Sequence, residues 1–260
     1  MSGSRSTTDA RRRWRLDVEY DGSGFAGWQI QDGAPTIQGA IEEALFKILG
    51  DRPRVAGAGR TDAGVHAAMQ VASFVTHVTR EPSKLRDGLN HYLPEAIACL
   101  EARPVAMHFD PRRDPHTKTY RYTWLVRPVR SPLRAGRVWH ERRSLDVPAM
   151  DAAARTIVGT HDFTSFRAAG CMATHPVRTI PEARVDSFDD EVRFTARGTG
   201  FLRHMVRIVA GTLYEVGRGR RTVAEFEAAL RSKARREAGR TAPPGGLLLA
   251  AIDYETQTTA

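Results

Sequence analysis

Several short stretches of the chain alternate polar with apolar residues, and a period of two residues is typical of a half-buried β-strand. In 14–20 aromatic and aliphatic side chains alternate with charged ones, and in 119–126 they alternate mostly with Thr and Arg. Together with shorter apolar runs bounded by turn residues, these patterns predict strands at 14–20, 54–58, 69–76, 97–105, 119–126, 178–188, 192–196 and 247–254.

Other stretches repeat apolar residues every three or four positions, which indicates amphipathic helices. One such run lies between Thr36, which is expected to cap the helix at its N-terminus, and Gly50, which is expected to end it. The longest apolar stripe runs through 201–216. Further helices are predicted at 82–92, at 147–158 with Asp146 as the cap, and from a cap at Thr222 to residue 233.

The order of these elements predicts the fold class. Through residue 105 the order is β-α-β-β-α-β, the ferredoxin-like or split βαβ arrangement. The second half repeats a mixed order of strands and helices, although its residues show no internal repeat. We therefore expect an α+β fold in which two ferredoxin-like halves join into a mixed, mainly antiparallel sheet flanked by helices. The expected divisions are a basic extension at 1–13, a half at 14–112 and a half at 113–260.

Charge and cysteine usage narrow the function classes. The net charge is +9 and the sequence pI is about 10.1. Such a balance favours an anionic partner, most often nucleic acid, although an ordinary basic protein remains an alternative. The two cysteines lie far apart, which argues against a disulfide framework or a zinc site and favours a reducing compartment, the cytoplasm. No run of 18 apolar residues occurs, so we expect no membrane span.

The stretch 57–67 is the strongest candidate for chemistry. It reads Gly-Ala-Gly-Arg-Thr-Asp-Ala-Gly-Val-His-Ala, with three glycines around one carboxylate, Asp62. Glycines at this density mark backbone that turns tightly or lies close to another molecule. A surface turn between two strands would use the same residues for their geometry alone, and such strings recur in unrelated folds. By itself, the stretch leaves both interpretations open.

Six separated segments together resemble the tRNA pseudouridine synthases of the TruA type. The segment 57–67 resembles the catalytic loop of that family, and 118–122 resembles its aromatic strand. The remaining four segments resemble the first signature, the two C-terminal signatures and the closing strand of the family; they are 20–29, 161–166, 201–207 and 244–247. The resemblance covers nearly the whole chain, residues 14–255, and leaves the basic extension outside.

The resemblance implies the pseudouridine synthase fold and an isomerisation of uridine to pseudouridine within RNA. The N1–C1′ bond breaks, the uracil turns, and C5 bonds to C1′. Because the reaction involves no net redox change, we expect neither a cofactor nor a metal. A carboxylate suits the reaction, since it can attack C1′, stabilise an oxocarbenium ion or accept a proton from the sugar. By resemblance that carboxylate is Asp62, and the sequence leaves the three roles open.

Two further catalytic candidates follow from the resemblance. Arg207 matches the position that pairs with the catalytic carboxylate, which would keep Asp62 ionised in a closed pocket. A solvated arginine on a helix is the alternative. Tyr120 matches an aromatic residue that stacks on an extruded uracil, and its hydroxyl would help to remove the C5 proton. Packing in the core is the alternative for this residue.

The other candidates for the site are less specific. Arg60 is expected to contact phosphate or to hold open the space left by the flipped base. Phe25 and Trp28 are expected to stack on RNA, although aromatic residues in loops also close the edge of a core. His66 is not required by the mechanism and is treated as a bystander. A structural connection is favoured over a metal site for a loosely spaced group that consists of His108, Asp110, Asp114 and His116.

The resemblance finally implies tRNA as the partner, with target uridines at positions 38 to 40 of the anticodon arm. It also implies a homodimer with RNA lying across both subunits, and no membrane partner. Two rivals stay open. One is a non-catalytic RNA-binding or RNA-chaperone module in which 57–67 only positions backbone. The other is a pseudouridine synthase with a different site specificity.

Overall fold

A computed structural model describes residues 11–171 and 173–255, and these residues contain five α-helices and eleven β-strands. The helices are α1 Ile37–Leu49, α2 Pro82–Tyr92, α3 Val147–Arg155, α4 Met205–Gly217 and α5 Val223–Ser232. The strands are β1 Arg12–Tyr20, β2 Ala56–Gly57, β3 His66–Thr76, β4 Ile97–Val105, β5 His116–Val126, β6 Trp139–Glu141, β7 Gly159–Asp162, β8 Val177–Ile180, β9 Glu182–Phe188, β10 Glu191–Gly198 and β11 Leu247–Tyr254. Residues 1–10 of the expected basic extension lie outside the described residues.

Nine of these strands form one sheet, whose main path runs β4-β1-β3-β11-β5-β10-β9. In the first half the order is β4-β1-β3-β2, and every pairing is antiparallel. The second half repeats that order as β11-β5-β10-β9, again with antiparallel pairings. The predicted fold class, α+β with two ferredoxin-like halves, is therefore confirmed. Among the helices of the described residues, none is long and apolar enough to cross a membrane.

The two halves meet where β11 pairs in parallel with β3. This pairing is short and joins Leu248 with His66 and Leu249 with Ala67. The Gly-rich segment 58–65 leads directly into β3 at the same place, so the catalytic-loop candidate lies at the junction of the halves. One continuous cluster of buried apolar side chains, which includes Ala67 and Leu249, extends through both halves.

The predicted caps of two helices are present. At the start of α1, the Thr36 hydroxyl accepts a hydrogen bond from the backbone N–H of Gly39, and Gly50 ends the helix with a φ of 82°. At the start of α5, Thr222 and Glu225 form a reciprocal capping box. Each cap satisfies backbone groups that the first or last turn leaves without a helical partner.

The prediction of a helix from residue 201 was wrong by four residues, since α4 begins at Met205. His204 takes a left-handed conformation with a φ of 60°, and this interrupts helical geometry immediately before Met205. Phe201 is therefore outside the helix, and its ring meets that of Tyr120 edge to face, with 4.9 Å between centroids. Phe201 fitted the apolar pattern of the helix although its ring packs against Tyr120 from outside the helix.

Several strand boundaries also differ from the prediction. The stretch 178–188 is two strands, β8 and β9, separated by Pro181, whose missing N–H cannot continue a ladder. Strand β8 pairs with β7 in a separate two-stranded sheet, whereas β9 pairs with β10 across the turn at 189–190. The segment 131–145, for which no strand was predicted, contains the short strand β6 beside β5. Helix α3 is capped by Asp146 as predicted but ends at Arg155 rather than at 158.

Polar side chains of β1 and β3 hold the segment 58–65 in place. The hydroxyl groups of Tyr20 and Thr61 are hydrogen-bonded at 2.8 Å, and both residues are buried. The side-chain amide of Gln70, also buried, donates to the carbonyl oxygen of Gly59 at 3.0 Å. Burial raises the pKa of Tyr20 to about 12, so its hydroxyl stays protonated at neutral pH. The loop therefore rests on side chains of β1 and β3 with little freedom to shift.

The segment 20–29 holds the same loop from the side. The backbone N–H of Trp28 donates to the carbonyl of Thr61 at 3.0 Å. A Cβ atom built on Gly22 would lie only 2.0 Å from the carbonyl oxygen of Val65. Real Cβ atoms do not approach oxygen this closely, so glycine is required here for close contact between two backbones.

Replacing Gly22 with Ala is expected to lower the free energy of unfolding by about 1–3 kcal/mol, because the added methyl group must displace the Val65 carbonyl. Gly24→Ala is the matched control, since it lies in the same turn and its Cβ would have no neighbour within 4 Å. The control should stay within about 0.5 kcal/mol of the wild type. Urea unfolding followed by circular dichroism measures both; equal stability of the two variants would contradict the close packing.

Candidate active site

Asp62 lies between β2 and β3, and its side chain is 27% exposed. The loop is fixed on both flanks of this residue. On one side the hydroxyl of Thr61 is bound to Tyr20. On the other, Gly64 has a φ of 74°, and a Cβ atom built on it would lie 3.1 Å from Cγ of Pro244 in the second half of the chain. The carboxylate is therefore accessible from solvent while the backbone that carries it is immobilised.

Arg207, in the first turn of α4, contacts this carboxylate. Its Nη1 donates to Asp62 Oδ2 at 3.2 Å, across 145 residues of sequence. Its Nε donates to the carbonyl of Ala242 at 2.9 Å, and the N–H of Ala242 donates to the Arg207 carbonyl at 3.0 Å. The Arg207 side chain is only 13% exposed, and its guanidinium group is permanently charged. The two anchoring contacts to Ala242 therefore hold a cation against Asp62 Oδ2.

Tyr120 lies in β5 and is 7% exposed. Burial raises the pKa of its phenol above the ordinary value, and the negative charge of Asp62 acts in the same direction. The side chain is therefore a neutral phenol at physiological pH. Its ring is fixed edge to face by Phe201, which stands between β10 and α4. The structure thus brings Tyr120 into electrostatic range of Asp62.

The three remaining candidates differ in accessibility. Arg60 is exposed two residues before Asp62. Phe25 is half-buried and packs against the core. Trp28 is only 3% exposed, and a Cβ atom on Gly57 would lie 2.5 Å from its ring. This burial favours packing of Trp28 over stacking on RNA, whereas Arg60 and Phe25 remain accessible.

His66 connects three segments rather than facing Asp62. Its Nδ1 accepts a hydrogen bond from the N–H of Gly22 at 3.1 Å, and its Nε2 lies 2.9 Å from the carbonyl of Gly136. Asp21 lies beside the same ring and is bound by Arg137 at 2.9 Å. The contacts therefore give His66 a structural role in tying the loops together.

His204 was missed by the sequence analysis. Its Nε2 lies 3.5 Å from Asp62 Oδ2, on the same oxygen that Arg207 contacts. Burial lowers the pKa of His204, while the Asp62 carboxylate opposes that effect. The spacing of three residues between His204 and Arg207 was the available signal. It could not be interpreted correctly while both were assigned to one continuous helix.

No metal centre is formed within the described part of the chain, where no three His, Cys, Asp or Glu side chains converge in a way that could hold an ion. In the loosely spaced group before β5, Asp110 Oδ1 accepts from the backbone N–H groups of Arg112 and Arg113. His116 Nδ1 lies 2.6 Å from the carbonyl of Asp114. These contacts form a turn, in agreement with the structural interpretation of the segment.

Comparison with known proteins gives one family. A family model described as tRNA pseudouridine synthase matches residues 18–112 and 153–255. The chain is 47% identical over 243 residues to tRNA pseudouridine synthase A of Myxococcus xanthus, covering 93% of this chain and 92% of the relative. It is 45% identical over 249 residues to that of Rhodospirillum rubrum, covering 95% and 90%. The enzyme of Neisseria meningitidis serogroup B is 44% identical over 248 residues, covering 95% and 94%.

In an Asp62→Asn variant the pKa of His204 is expected to fall further below its ordinary value, because the carboxylate that favours the imidazolium is replaced by a neutral amide. A histidine NMR titration measures this shift. The matched control is Asp51→Asn, which removes an exposed carboxylate and should leave the pKa of His204 unchanged. An unchanged titration in Asp62→Asn would show that the two side chains do not interact.

The lowered pKa of His204 also predicts the direction in which stability changes with pH. Because the pKa of His204 is lowered by folding, the unfolded chain takes up this proton first as the pH falls. The contribution of His204 to stability is therefore present above about pH 6.5 and is lost as the pH falls through the folded pKa.

Proposed function

The chain belongs to the tRNA pseudouridine synthase family, enzymes that isomerise uridine to pseudouridine in tRNA, and we propose that Asp62 is its catalytic carboxylate. One observation carries this assignment. Asp62 is partly exposed at the junction of the halves, on a backbone that hydrogen bonds hold in place. Both Arg207 and His204 contact its Oδ2 atom. A carboxylate that is paired with a cation and still open to a ligand is the group that the reaction needs.

Asp62 acts at C1′ of the target uridine. A carboxylate oxygen bonds to C1′ as the N1–C1′ bond breaks, and the electron pair of that bond leaves with the uracil. The uracil turns so that C5 faces C1′. C5 then bonds to C1′ while the Asp62 oxygen leaves, C5 loses its proton, and N1 gains one. The atoms and electrons of substrate and product balance without an oxidant or a reductant.

Arg207 is the positioning and charge-pairing residue for this step. Its guanidinium group is anchored by Ala242, so it directs Asp62 Oδ2 while the other carboxylate oxygen stays open for C1′. A cation 3.2 Å away lowers the cost of keeping a carboxylate ionised when RNA closes the pocket and excludes water. His204 adds a second, neutral contact to the same oxygen, since burial lowers its pKa.

Tyr120 lines the pocket beside Asp62 and stacks on the extruded uracil. Its raised pKa keeps the hydroxyl protonated, so it donates a hydrogen bond. It can accept the C5 proton only if its own proton leaves in the same step. Arg60 and Phe25 lie near the mouth of the pocket, where they contact the strand from which the base has turned out. Turning the base costs a few kcal/mol of lost stacking, which contacts to phosphate offset.

The substrate is proposed to be the anticodon arm of tRNA, with targets at positions 38 to 40. We further propose that the enzyme works in the cytoplasm as a homodimer with RNA lying across both subunits. The relatives named above support the tRNA substrate, and the net charge of +9 supports an extended polyanion as the partner. A non-catalytic RNA-binding module would share the charge, but a partly exposed carboxylate would then only repel phosphate.

Asp62→Asn should reduce the rate of pseudouridine formation by at least about a thousandfold, since loss of a nucleophile removes the bond-forming step itself. Affinity for tRNA should change little, because the amide keeps the size of the side chain. Tritium release from [5-³H]uridine in tRNA measures the rate, and filter binding measures the affinity. Asp51→Asn serves as the exposed control. Formation of product at the wild-type rate by Asp62→Asn would reject the catalytic assignment.

The substrate assignment has its own test. In cells that lack this protein, pseudouridine should disappear from positions 38 to 40 of tRNA and persist elsewhere. Chemical mapping of pseudouridine in total tRNA, with and without a plasmid that restores the protein, measures this. Loss only at sites outside the anticodon arm would leave Asp62 as the catalyst but replace the proposed target.

A further inference from the structure

Lys118 lies in β5 two residues before Tyr120, so the two side chains project from the same face of the strand. Its amine reaches the loop that carries Asp62. A Cβ atom built on Gly59 would lie 3.3 Å from both Cε and Nζ of Lys118. The ammonium group is therefore within the wall of the proposed pocket, three residues along the loop from the catalytic carboxylate.

Two cations act on the charge of Lys118. Arg112, in the turn before β5, and Arg178, in β8, are the charged groups that act on it, and both are cations. The residues paired with it in the neighbouring strands are Gly198 and Ile252, which carry no charge. Within the described residues, Lys118 has no carboxylate partner in an ion pair. Burial, with Arg112 and Arg178 adding to it, lowers the pKa of Lys118 to about 8.

His116 lies two residues before Lys118 in β5, on the same face of the strand. Burial lowers the pKa of His116, and the Lys118 charge acts in the same direction. His116 is therefore neutral at physiological pH and does not add a charge. A half-buried amine among like charges is unfavourable in the free protein, so the arrangement requires an anion to be fully satisfied.

Lys118 is a lysine in a chain whose basic residues are mostly arginines. Only four of the 39 basic residues of the chain are lysines. The other three, Lys47, Lys84 and Lys233, are exposed, whereas Lys118 is half-buried. A lysine presents one compact charge where a guanidinium fork would need more space, and its pKa responds readily to burial.

Arg178 is the second cation of the proposed site, since its charge acts on Lys118. Its Nη1 donates to the backbone carbonyls of His175 and Val177, which orients the guanidinium group. Its Nε would lie 3.4 Å from a Cβ atom on Gly200. The remaining N–H groups have no carboxylate partner within the described residues, and a guanidinium group carries five donors.

We propose that Lys118 and Arg178 form a binding site for one backbone phosphate of the RNA, next to the nucleotide that Asp62 attacks. This inference rests on the proposed function, because it takes the ligand to be the RNA strand that enters the Asp62 pocket. The phosphate supplies the anion that the cationic wall lacks. It fixes the backbone beside the target while the base is out of the stack and the uracil turns.

Phosphate binding couples to a proton on Lys118. The free amine loses its charge as the pH rises through about 8, whereas the bound phosphate favours the charged form. Binding above pH 8 therefore requires uptake of a proton. The affinity of the wild type should fall as the pH is raised from 8 to 9.5, and a variant without this amine should not show that fall.

The experiment measures binding of a tRNA transcript to the full chain in an Asp62→Asn background, with and without Lys118→Met. Lys118→Met should weaken binding about tenfold, reduce the slope of log K against log salt by roughly one, and make binding independent of pH between 8 and 9.5. Lys84→Met, on the exposed face of α2, is the matched control and should change none of these. Lys118→Met with control-like affinity and salt slope would overturn the proposal.

Two further measurements separate a binding role from a structural one. The free Lys118→Met protein should unfold at the same temperature as its parent or a higher one, because an uncompensated charge is removed. A series of RNAs, each with one neutral methylphosphonate linkage, should include one linkage that weakens binding to the Lys118 parent but not to Lys118→Met. Equal sensitivity of both proteins at every linkage would overturn the site. Turnover by the Asp62→Asn background would instead reject the proposed function and leave the binding comparison valid.

Discussion

The contact between Asp62 and Arg207 is the constraint on which the site depends. A carboxylate that is withdrawn from water needs a cation beside it, and here the cation comes from the other half of the chain, 145 residues away. The fold provides this contact because β3 and β11 join the two halves of the large sheet edge to edge, at the point where 58–65 enters β3. The position of α4 then brings Arg207 to the loop.

Around that ion pair, some residues hold the loop in place and others stay exposed to solvent. Tyr20 and Gln70 hold the loop from inside the sheet, through the Tyr20 hydroxyl bound to Thr61 and the Gln70 N–H donated to the Gly59 carbonyl. Gly22 permits another segment to lie directly against Val65. Asp62 and Arg60 are left open to solvent on this support. The loop is therefore irregular in secondary structure but as well supported as a strand, which suits a group that must meet one atom of a substrate.

Local features of the sequence predicted local features of the structure. Thr36, Gly50 and Thr222 end or begin helices because their side-chain or backbone preferences act within a few residues. Short strands such as β6 were missed, since three residues carry no readable period. The start of α4 was misplaced because Phe201 is apolar for packing against Tyr120, which lies far away in sequence. The β-α-β-β-α-β order gave the fold, since it depends on element types rather than exact boundaries.

The candidate site was less accessible to such reasoning. The pairing of Asp62 with Arg207 was expected only through the family resemblance, because no local pattern connects residues so far apart. His204 was missed because its contact depends on a left-handed backbone that a helical period hides. For Trp28 the loop position left stacking on RNA and packing both open, and the burial of the ring beside Gly57 favours packing. Contacts of this kind depend on tertiary geometry.

The central position of β11 has a consequence for synthesis on the ribosome. The strands β1 to β4 can pair with one another once residue 105 has emerged, and they already contain Asp62. The edge of β3 beside the loop 58–65 nevertheless stays open until β11 arrives and pairs with it. Because Leu248 and Leu249 fill that edge, the nascent chain exposes an unpaired strand for most of translation. The surroundings of Asp62 are thus completed only after residues 247–254 have emerged.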